Sequence, residues 1–213
     1  MTDDGREDHG SRRPVPLRPL GALVDERVSG LQARYRNNRS SGVSDLAALR
    51  RASTAEPGAD PRIWELTLAG IPTPAGAGDE PTAEERAAHA ALTLYAVHQQ
   101  SQSLPMHVPG QGLGRSVRTL GQRPGAEAAV RRRLEALGTA ATFAELMQHA
   151  RGLIRQLRSA AIPLDYGQFA DDLVALQSPA HAPRVRLRWG RDYHRAPSAE
   201  TGPSPSAATK ETA

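Results

Sequence analysis

Cysteine is absent from the chain, and aromatic residues are scarce, with two Phe, two Trp and four Tyr among 213 residues. Without cysteine, disulfides and thiolate metal sites are excluded. No run of about 18 apolar residues occurs, and the segment MTDDGREDHG at the N-terminus is polar and acidic. We therefore expect neither a membrane span nor a secretory signal, and a cytoplasmic location. Because apolar residues make up only 38% of the chain, we also expect part of it to lie outside the folded core.

Lysine is nearly absent as well, since Lys210 is the one lysine beside 26 arginines. The charge is unevenly distributed. Residues 52–100 hold two arginines and seven acids, a net charge of −5, whereas residues 101–196 hold fourteen arginines and seven acids, a net charge of +7. A strongly basic second half predicts an anionic partner such as a phosphate backbone.

The composition divides the chain into four parts. Residues 1–15 and 197–213 are rich in polar residues, Gly or Pro and lack apolar periodicity, so both are predicted to be disordered tails. Between them we predict an N-terminal helical subdomain over 16–104 and a basic C-terminal helical bundle over 105–196, separated near the Pro- and Gly-rich segment that begins at residue 103.

Apolar residues recur with helical spacing along nearly the whole of this folded part. The first helix is typical, with apolar residues at Leu20, Leu23, Val24, Val28 and Leu31. Helix starts are predicted at Ser44, at Asp60-Pro61, and at two capping boxes, Thr82 with Glu85 and Thr142 with Glu145. No segment alternates with period two for long enough to predict a strand. The predicted fold class is therefore all-α.

Arginines form two rows at helical spacing. Arg151, Arg155 and Arg158 make one row, and Arg184, Arg188, Arg191 and Arg195 make the other. Members of each row share a helix face, because each turn of 3.6 residues returns to the same side. Few acids accompany them, and Asp192 is the one acid in the last predicted helix. The rows predict binding to a phosphate backbone, while a solvated face or a protein interface stays open as the alternative.

A third basic group follows the glycine-rich turn that contains Gly110, Gly112 and Gly114. Arg115 and Arg118 begin a predicted helix there, and backbone amides at such a terminus can hold a phosphate. No strand precedes these glycines, so the pattern does not indicate a dinucleotide-binding loop. The consecutive arginines at 50–51 and 131–133 are further candidates for anion binding.

The sequence contains no constellation that would support catalysis, and it predicts neither a metal site nor a cofactor. None of the seven histidines forms His-Glu-x-x-His or stands at metal-binding spacing from a nearby carboxylate, and neither a P-loop nor a Gly-x-Ser-x-Gly elbow occurs. Asp171 and Asp172 are adjacent, so their side chains diverge on a helix, and we expect both on the surface. The residues expected to pack inside are Trp64, Tyr95, Phe143, Phe169, Trp189 and Tyr193, the last two with base stacking as the alternative.

Four segments together resemble the CasB family, the small subunit of the type I-E CRISPR surveillance complex Cascade. They are LTLYAVHQQS (92–101), PMHVPGQGLGRSVRTL (105–120), RGLIRQLRSAAIPLDYGQFADDLVALQ (151–177) and RVRLRWGRDYHR (184–195). The resemblance implies a helical pair of subdomains and a non-catalytic protein present as two tandem copies. It also implies contacts with the other Cascade subunits and the guide RNA. Such a subunit binds the target or displaced DNA strand without sequence preference and helps to hold the R-loop open.

The resemblance also carries site residues over to matching positions of this chain. The basic pair near the start of the family fold falls on Arg50 and Arg51, and the Leu-Gly-Arg position falls on Arg115. The helix before the Leu-Asp-aromatic corner places a basic residue at Arg151 or Arg155. The last helix begins with Arg184 and Arg188. With Arg118 and Arg191 from the arginine patterns, these nine arginines are the predicted nucleic-acid site. Leu176 departs from the family, which often has an aromatic residue there.

Two other functions are weighed against this one. A helix-turn-helix regulator would need Asn, Gln or Ser on a recognition helix, whereas the polar side of the C-terminal helices carries arginine. An enzyme acting on an anionic substrate would need an acid–base pair or a metal, and the sequence offers neither.

Overall fold

Helices make up most of residues 16–195, which are the residues that the computed structural model describes. The predicted tails at 1–15 and 197–213 lie outside this range. The nine α-helices of the described part are α1 Pro19–Arg36, α2 Ser40–Arg51, α3 Trp64–Thr67, α4 Ala83–Gln99, α5 Leu113–Gly121, α6 Glu127–Thr139, α7 Phe143–Ser159, α8 Tyr166–Leu176 and α9 Ala182–His194. Two 3₁₀ turns, Ala52–Thr54 and Pro61–Ile63, precede α3. The predicted all-α class is confirmed, and none of these helices has the length and apolar character needed to cross a membrane.

The capping box predicted at the start of α4 is confirmed. The Thr82 hydroxyl accepts from the Glu85 amide at 3.2 Å, and the Glu85 carboxylate accepts from the Thr82 amide at 2.8 Å. The second box is only half formed. Thr142 caps α7 at 3.1 Å, but the Glu145 carboxylate accepts from the amide of Ala141 instead. Both α4 and α7 nevertheless begin at the predicted residues.

Two predicted helix starts differ from the structure. α2 begins at Ser40, so Ser44 lies inside the helix, where its hydroxyl donates to the Ser41 carbonyl at 3.0 Å and caps nothing. Asp60 does accept from the amide of Arg62, but the turn it caps is 3₁₀ and the α-helix that follows has only four residues. This segment ends at Gly70, whose φ of +65° suits glycine.

One hydrophobic core runs through both halves of the described chain. α8 packs against α1 and α4, so an element of the predicted C-terminal bundle contacts the predicted N-terminal subdomain extensively. Tyr95 and Tyr166 meet edge to face at 5.3 Å between ring centroids, and Phe169 packs on Tyr166 from the same helix. The division at residues 104 and 105 stays a prediction.

The aromatic residues otherwise follow the prediction, with one exception. Trp189 is buried, as expected for packing, and Phe143 packs partly buried against the core. Trp64 is predicted to lie in the core, but 47% of its surface is exposed. Its indole N–H donates to the Gly58 carbonyl at 2.8 Å, which holds the ring against its own loop.

Asp171, predicted to be a surface residue, caps α1 from α8. Its carboxylate accepts from the backbone amides of Arg18 at 2.8 Å and Gly21 at 2.9 Å, two donors that a helix start otherwise leaves unpaired. Burial raises the pKa of Asp171, and these two hydrogen bonds oppose that rise. A Cβ atom at Gly21 would lie 2.3 Å from the carboxylate oxygen, so a side chain there would displace Asp171 from this cap.

Candidate nucleic-acid interface

α9 has a buried face and a basic face. Val185 and Trp189 are buried, because α9 packs on α5 and α8. Arg184 and Arg191 are exposed. They are seven residues apart, so they share one side of the helix at about 10 Å along its axis. Arg186 is exposed as well. These side chains give the outer surface of α9 its positive charge.

Arg188 lies in the same row but has a different environment. It is half-buried and pairs with the Asp172 carboxylate, which also accepts from the Trp189 indole N–H at 2.7 Å. Burial lowers the pKa of Arg188, while the nearby Asp192 and Asp171 raise it. The guanidinium is therefore engaged within the fold. Sequence spacing could not show this, because the acid comes from α8 rather than from α9.

Asp172 itself corrects a second prediction. It was expected on the surface, but only 1% of it is exposed. Arg195, the last member of the predicted row, lies just beyond the end of α9, and its carbonyl accepts from the Arg118 guanidinium. Of the predicted row of four, Arg184 and Arg191 remain as exposed cations on α9 itself.

The row on α7 is likewise divided by burial. Arg155 is exposed, whereas Arg151 and Arg158 are half-buried. Nε of Arg151 donates to the Ser53 carbonyl at 3.0 Å, and Nε of Arg158 donates to the Gln100 carbonyl at 2.9 Å. These two arginines tie α7 to the first 3₁₀ turn and to the end of α4.

The glycine-rich turn before α5 serves helix packing. A Cβ atom at Gly114 would lie 2.4 Å from the Trp189 carbonyl oxygen, so only glycine allows α5 to approach α9 this closely. Gly112 and Leu113 are buried too. The start of α5 is therefore covered by packing, while anion binding by Arg115 and Arg118 stays a prediction. Arg115 is half-buried on the same helix.

Arg50 and Arg51 lie at the end of α2, which packs on α1 and α4. Arg51 is exposed and Arg50 is half-buried. The pKa of Asp60 is lowered, mainly by its hydrogen bonds from Arg62 and in smaller part by Arg51. The nine predicted arginines thus lie on four helices, α2, α5, α7 and α9, rather than on one.

Two cavities that sequence reasoning missed meet at Arg86. One, of about 420 Å³, lies between the first 3₁₀ turn, α4 and α7. The other, of about 690 Å³, lies among the start of α4, the α6–α7 connection and the α8–α9 region, with Arg186 on its lining. Arg86 and Phe143 line both. Because Arg86 stands in an acidic stretch of sequence, local charge gave no signal for it.

A buried His–Asp cluster was also missed. His107 Nε2 lies 2.9 Å from the Asp25 carboxylate, and His107 Nδ1 accepts from the Tyr166 amide at 3.1 Å. Asp165 caps α8 by accepting from Gln168, and it accepts from the Gly110 amide. The donor atoms of Asp25, His107 and Asp165 lie within 4.8 Å of one another. Sequence spacing gave no signal for this cluster, because its three residues are distant in sequence. Both ring nitrogens of His107 already make hydrogen bonds, so the cluster ties α1 to the start of α8.

Comparison with known proteins gives three matches. The family model of CRISPR-associated protein Cse2 matches residues 45–194. The crystal structure of CasB from Thermobifida fusca is similar over 84% of this chain and 100% of that one, with 37% identity and a TM-score of 0.69. A CRISPR-associated protein of the Cse2 family from Thermus thermophilus is similar over 81% of this chain and 96% of that one, with 25% identity and a TM-score of 0.60. No curated protein matches significantly.

Proposed function

Because the chain belongs to the CRISPR-associated Cse2 family, which includes CasB, we propose that it binds a nucleic-acid backbone without reading its sequence. Family membership identifies it as a CRISPR-associated subunit of Cascade. The finer role proposed here is the non-catalytic small subunit of a type I-E complex, present in two copies in the cytoplasm. There it contacts the guide RNA–target DNA assembly and stabilises the R-loop.

The observation that carries this proposal is the exposed basic face of α9. Arg184 and Arg191 stand on one side of the helix, and among residues 16–195 no ion pair engages either of them. Two like charges that share one face without an ion-pair partner gain energy when a polyanion lies across them. Arg155 on α7 and Arg51 on α2 are exposed in the same way.

The physics of R-loop formation suits such a surface. The guide–target duplex is about as stable as the DNA duplex that it replaces, so a few backbone contacts can shift the balance. Arginine–phosphate contacts supply affinity without sequence information, and base pairing with the guide supplies specificity.

The test replaces Arg184 and Arg191 together by Ala and measures binding to single-stranded DNA across a range of salt concentrations. Each lost phosphate contact lowers the salt slope of single-strand binding by about 0.7, so the double variant should lose about 1.4. The loss should be the same for unrelated sequences. In Cascade assembled with its guide RNA, the variant should incorporate normally but form R-loops less completely.

The matched control is Arg62→Ala, which removes an exposed arginine that is paired with Asp60 in the acidic segment. It should leave the slope unchanged. An unchanged slope in the double variant would contradict this assignment of the surface. A preference of roughly a thousandfold for one DNA sequence would instead indicate a helix-turn-helix regulator.

A further inference from the structure

A groove of about 340 Å³ lies between α6 and α9 and takes no part in the contacts described above. We name it the α6–α9 groove. α5 packs against both helices, and the groove lies between the two. Leu134 and Gly138 line it from α6, and Arg186, Gly190 and Tyr193 line it from α9. Its volume is in the range that small-molecule sites occupy.

The fold itself does not require either glycine of this groove. Gly138 and Gly190 lie within helices, and neither has the positive φ that favours glycine. Among residues 16–195, no packing neighbour lies within 4 Å of a Cβ atom built at either position, in contrast to Gly114. Glycine in a helix is less stable than alanine. The two glycines therefore keep the groove open at a cost to the fold, which indicates that the open space is used.

One wall of the groove is aromatic and apolar. Tyr193 is half-buried, so part of its ring is accessible, and Leu134 and Trp189 extend the apolar lining beside it. The Tyr193 ring meets the His194 ring edge to face at 4.9 Å between centroids. The base stacking that the sequence left open for Tyr193 is therefore possible in this structure, because the ring is not enclosed by the core.

The edge of the groove carries positive charge. Arg186 is exposed, and within the described part of the chain no ion pair engages it. Arg131 lies on the α6 side and pairs with Glu135, the one acid of the lining, at 3.8 Å, with more than half of both side chains exposed. A ligand that is flat and apolar in one part and anionic in another fits this combination, and a nucleotide has both parts.

The position of the groove on α9 makes a bound strand, rather than a free nucleotide, its source. Gly190 and Arg191 are neighbours, so their side-chain directions differ by about 100° around the helix. A strand whose phosphates lie on Arg184 and Arg191 therefore passes about a quarter of a turn from the groove. The groove continues the exposed basic face of α9 rather than forming a separate surface.

We propose that the α6–α9 groove holds one nucleobase of a single strand bound along α9. The base lies over Gly138 and Gly190 with one face on the Tyr193 ring, and its flanking phosphates lie on Arg186 and Arg191. This inference rests on the proposed function, since it assumes that a strand is bound. It adds a contact with the base itself, and stacking tolerates any base because every base has a π-face.

The test compares two single strands of about ten nucleotides, within the usual site size for such proteins. One is oligo-deoxythymidylate, and the other is an abasic strand with the same phosphates. Gly190→Leu fills the groove, and it should fold because leucine favours helices and the space around its Cβ is open. It should bind oligo-deoxythymidylate about fivefold more weakly, the lower end of the effect of one stacked base, and bind the abasic strand as the wild type does.

The matched control is Gly152→Leu. Gly152 is an exposed glycine within α7, and a Cβ atom there would likewise have no packing neighbour within 4 Å among the described residues. It lies outside the lining of the groove, so the ratio of the two affinities should not change. A second pair of variants tests the ring. Tyr193→Phe should keep the wild-type ratio, and Tyr193→Leu should reduce it as Gly190→Leu does.

The outcomes separate the two proposals. If Gly190→Leu and Tyr193→Leu keep the wild-type ratio of the two affinities, base binding is overturned and backbone binding stands. If Gly190→Leu keeps that ratio but no longer incorporates into Cascade, a partner subunit occupies the groove, and base binding is overturned as well. If the wild-type protein binds neither strand, the proposed function fails and this inference fails with it.

Discussion

Replacing Arg188 by Ala should destabilise the protein, although the residue stands in a row of predicted nucleic-acid contacts. Asp172 is buried, and Arg188 is the cation paired with it. The substitution leaves the carboxylate with the Trp189 indole N–H as its remaining side-chain donor. The cost therefore falls on the fold, through an uncompensated charge, rather than on a ligand contact.

The magnitude follows from the burial of the two partners. Removing one partner of a fully buried ion pair costs about 3–5 kcal/mol. Here 28% of the Arg188 side chain is exposed, so water can enter the space it leaves and hydrate Asp172 in part. We therefore expect a loss of about 2 kcal/mol in the free energy of unfolding, which for a chain of this size lowers Tm by roughly 4–8 °C.

Urea denaturation followed by circular dichroism measures this loss, with Arg191→Ala as the matched control. Arg191 is exposed on the same helix, so its removal should change stability by less than about 0.5 kcal/mol while weakening strand binding. In an Asp172→Asn background the cost of Arg188→Ala should shrink, because no buried charge is then left unpaired. The reasoning is refuted if Arg188→Ala keeps wild-type stability and loses strand affinity as Arg191→Ala does.

Two further predictions concern glycine packing and pH. Gly114→Ala should lower the free energy of unfolding by about 1–3 kcal/mol, because its Cβ would meet the Trp189 carbonyl oxygen. Gly190→Ala on α9 should raise it by about 0.5–1 kcal/mol, because nothing lies within 4 Å of its Cβ. Equal effects of the two variants in urea denaturation would contradict this. Burial lowers the pKa of His98 to about 4, against about 6.5 when unfolded. As the pH falls, the unfolded chain therefore binds the proton on His98 before the folded chain does. The free energy of unfolding keeps its full value above about pH 6.5 and falls by about 3 kcal/mol as the pH approaches 4. His98→Gln should reduce this pH dependence between about pH 7.5 and 4.5, and identical slopes for variant and wild type would exclude His98 as its source.

Helix positions were predictable because their signals are local. The Thr82–Glu85 box, the apolar spacing of α1 and the turn at Gly70 all depend on residues within a few positions of one another. Ser44 shows the limit of such signals, since a serine with a suitable hydroxyl can equally lie inside a helix and bond to its own backbone. Trp64 shows another, because its short helix leaves the indole outside the core.

The sequence predicted which arginines make up the candidate site. It did not predict which of them are exposed and which are held by contacts within the fold. Spacing places Arg184, Arg188 and Arg191 on one face of α9, and the structure agrees. Whether a guanidinium is exposed depends on partners from other helices, such as Asp172 for Arg188. Arg86 gave no signal for the same reason, since the cavity it lines combines three separate parts of the chain, residues 53–57, 86–94 and 143–151.

The cap that Asp171 places on α1 has a consequence for how the protein is made. On the ribosome, the first helix emerges with the amides of Arg18 and Gly21 still lacking their acceptor, which is separated from them by 153 and 150 residues. The α8 surface that α1 packs against is synthesised equally late. We therefore expect the N-terminal helix to dock near the end of synthesis. A truncated product that ends before α8 would expose apolar core residues to the proteases and chaperones of the cell.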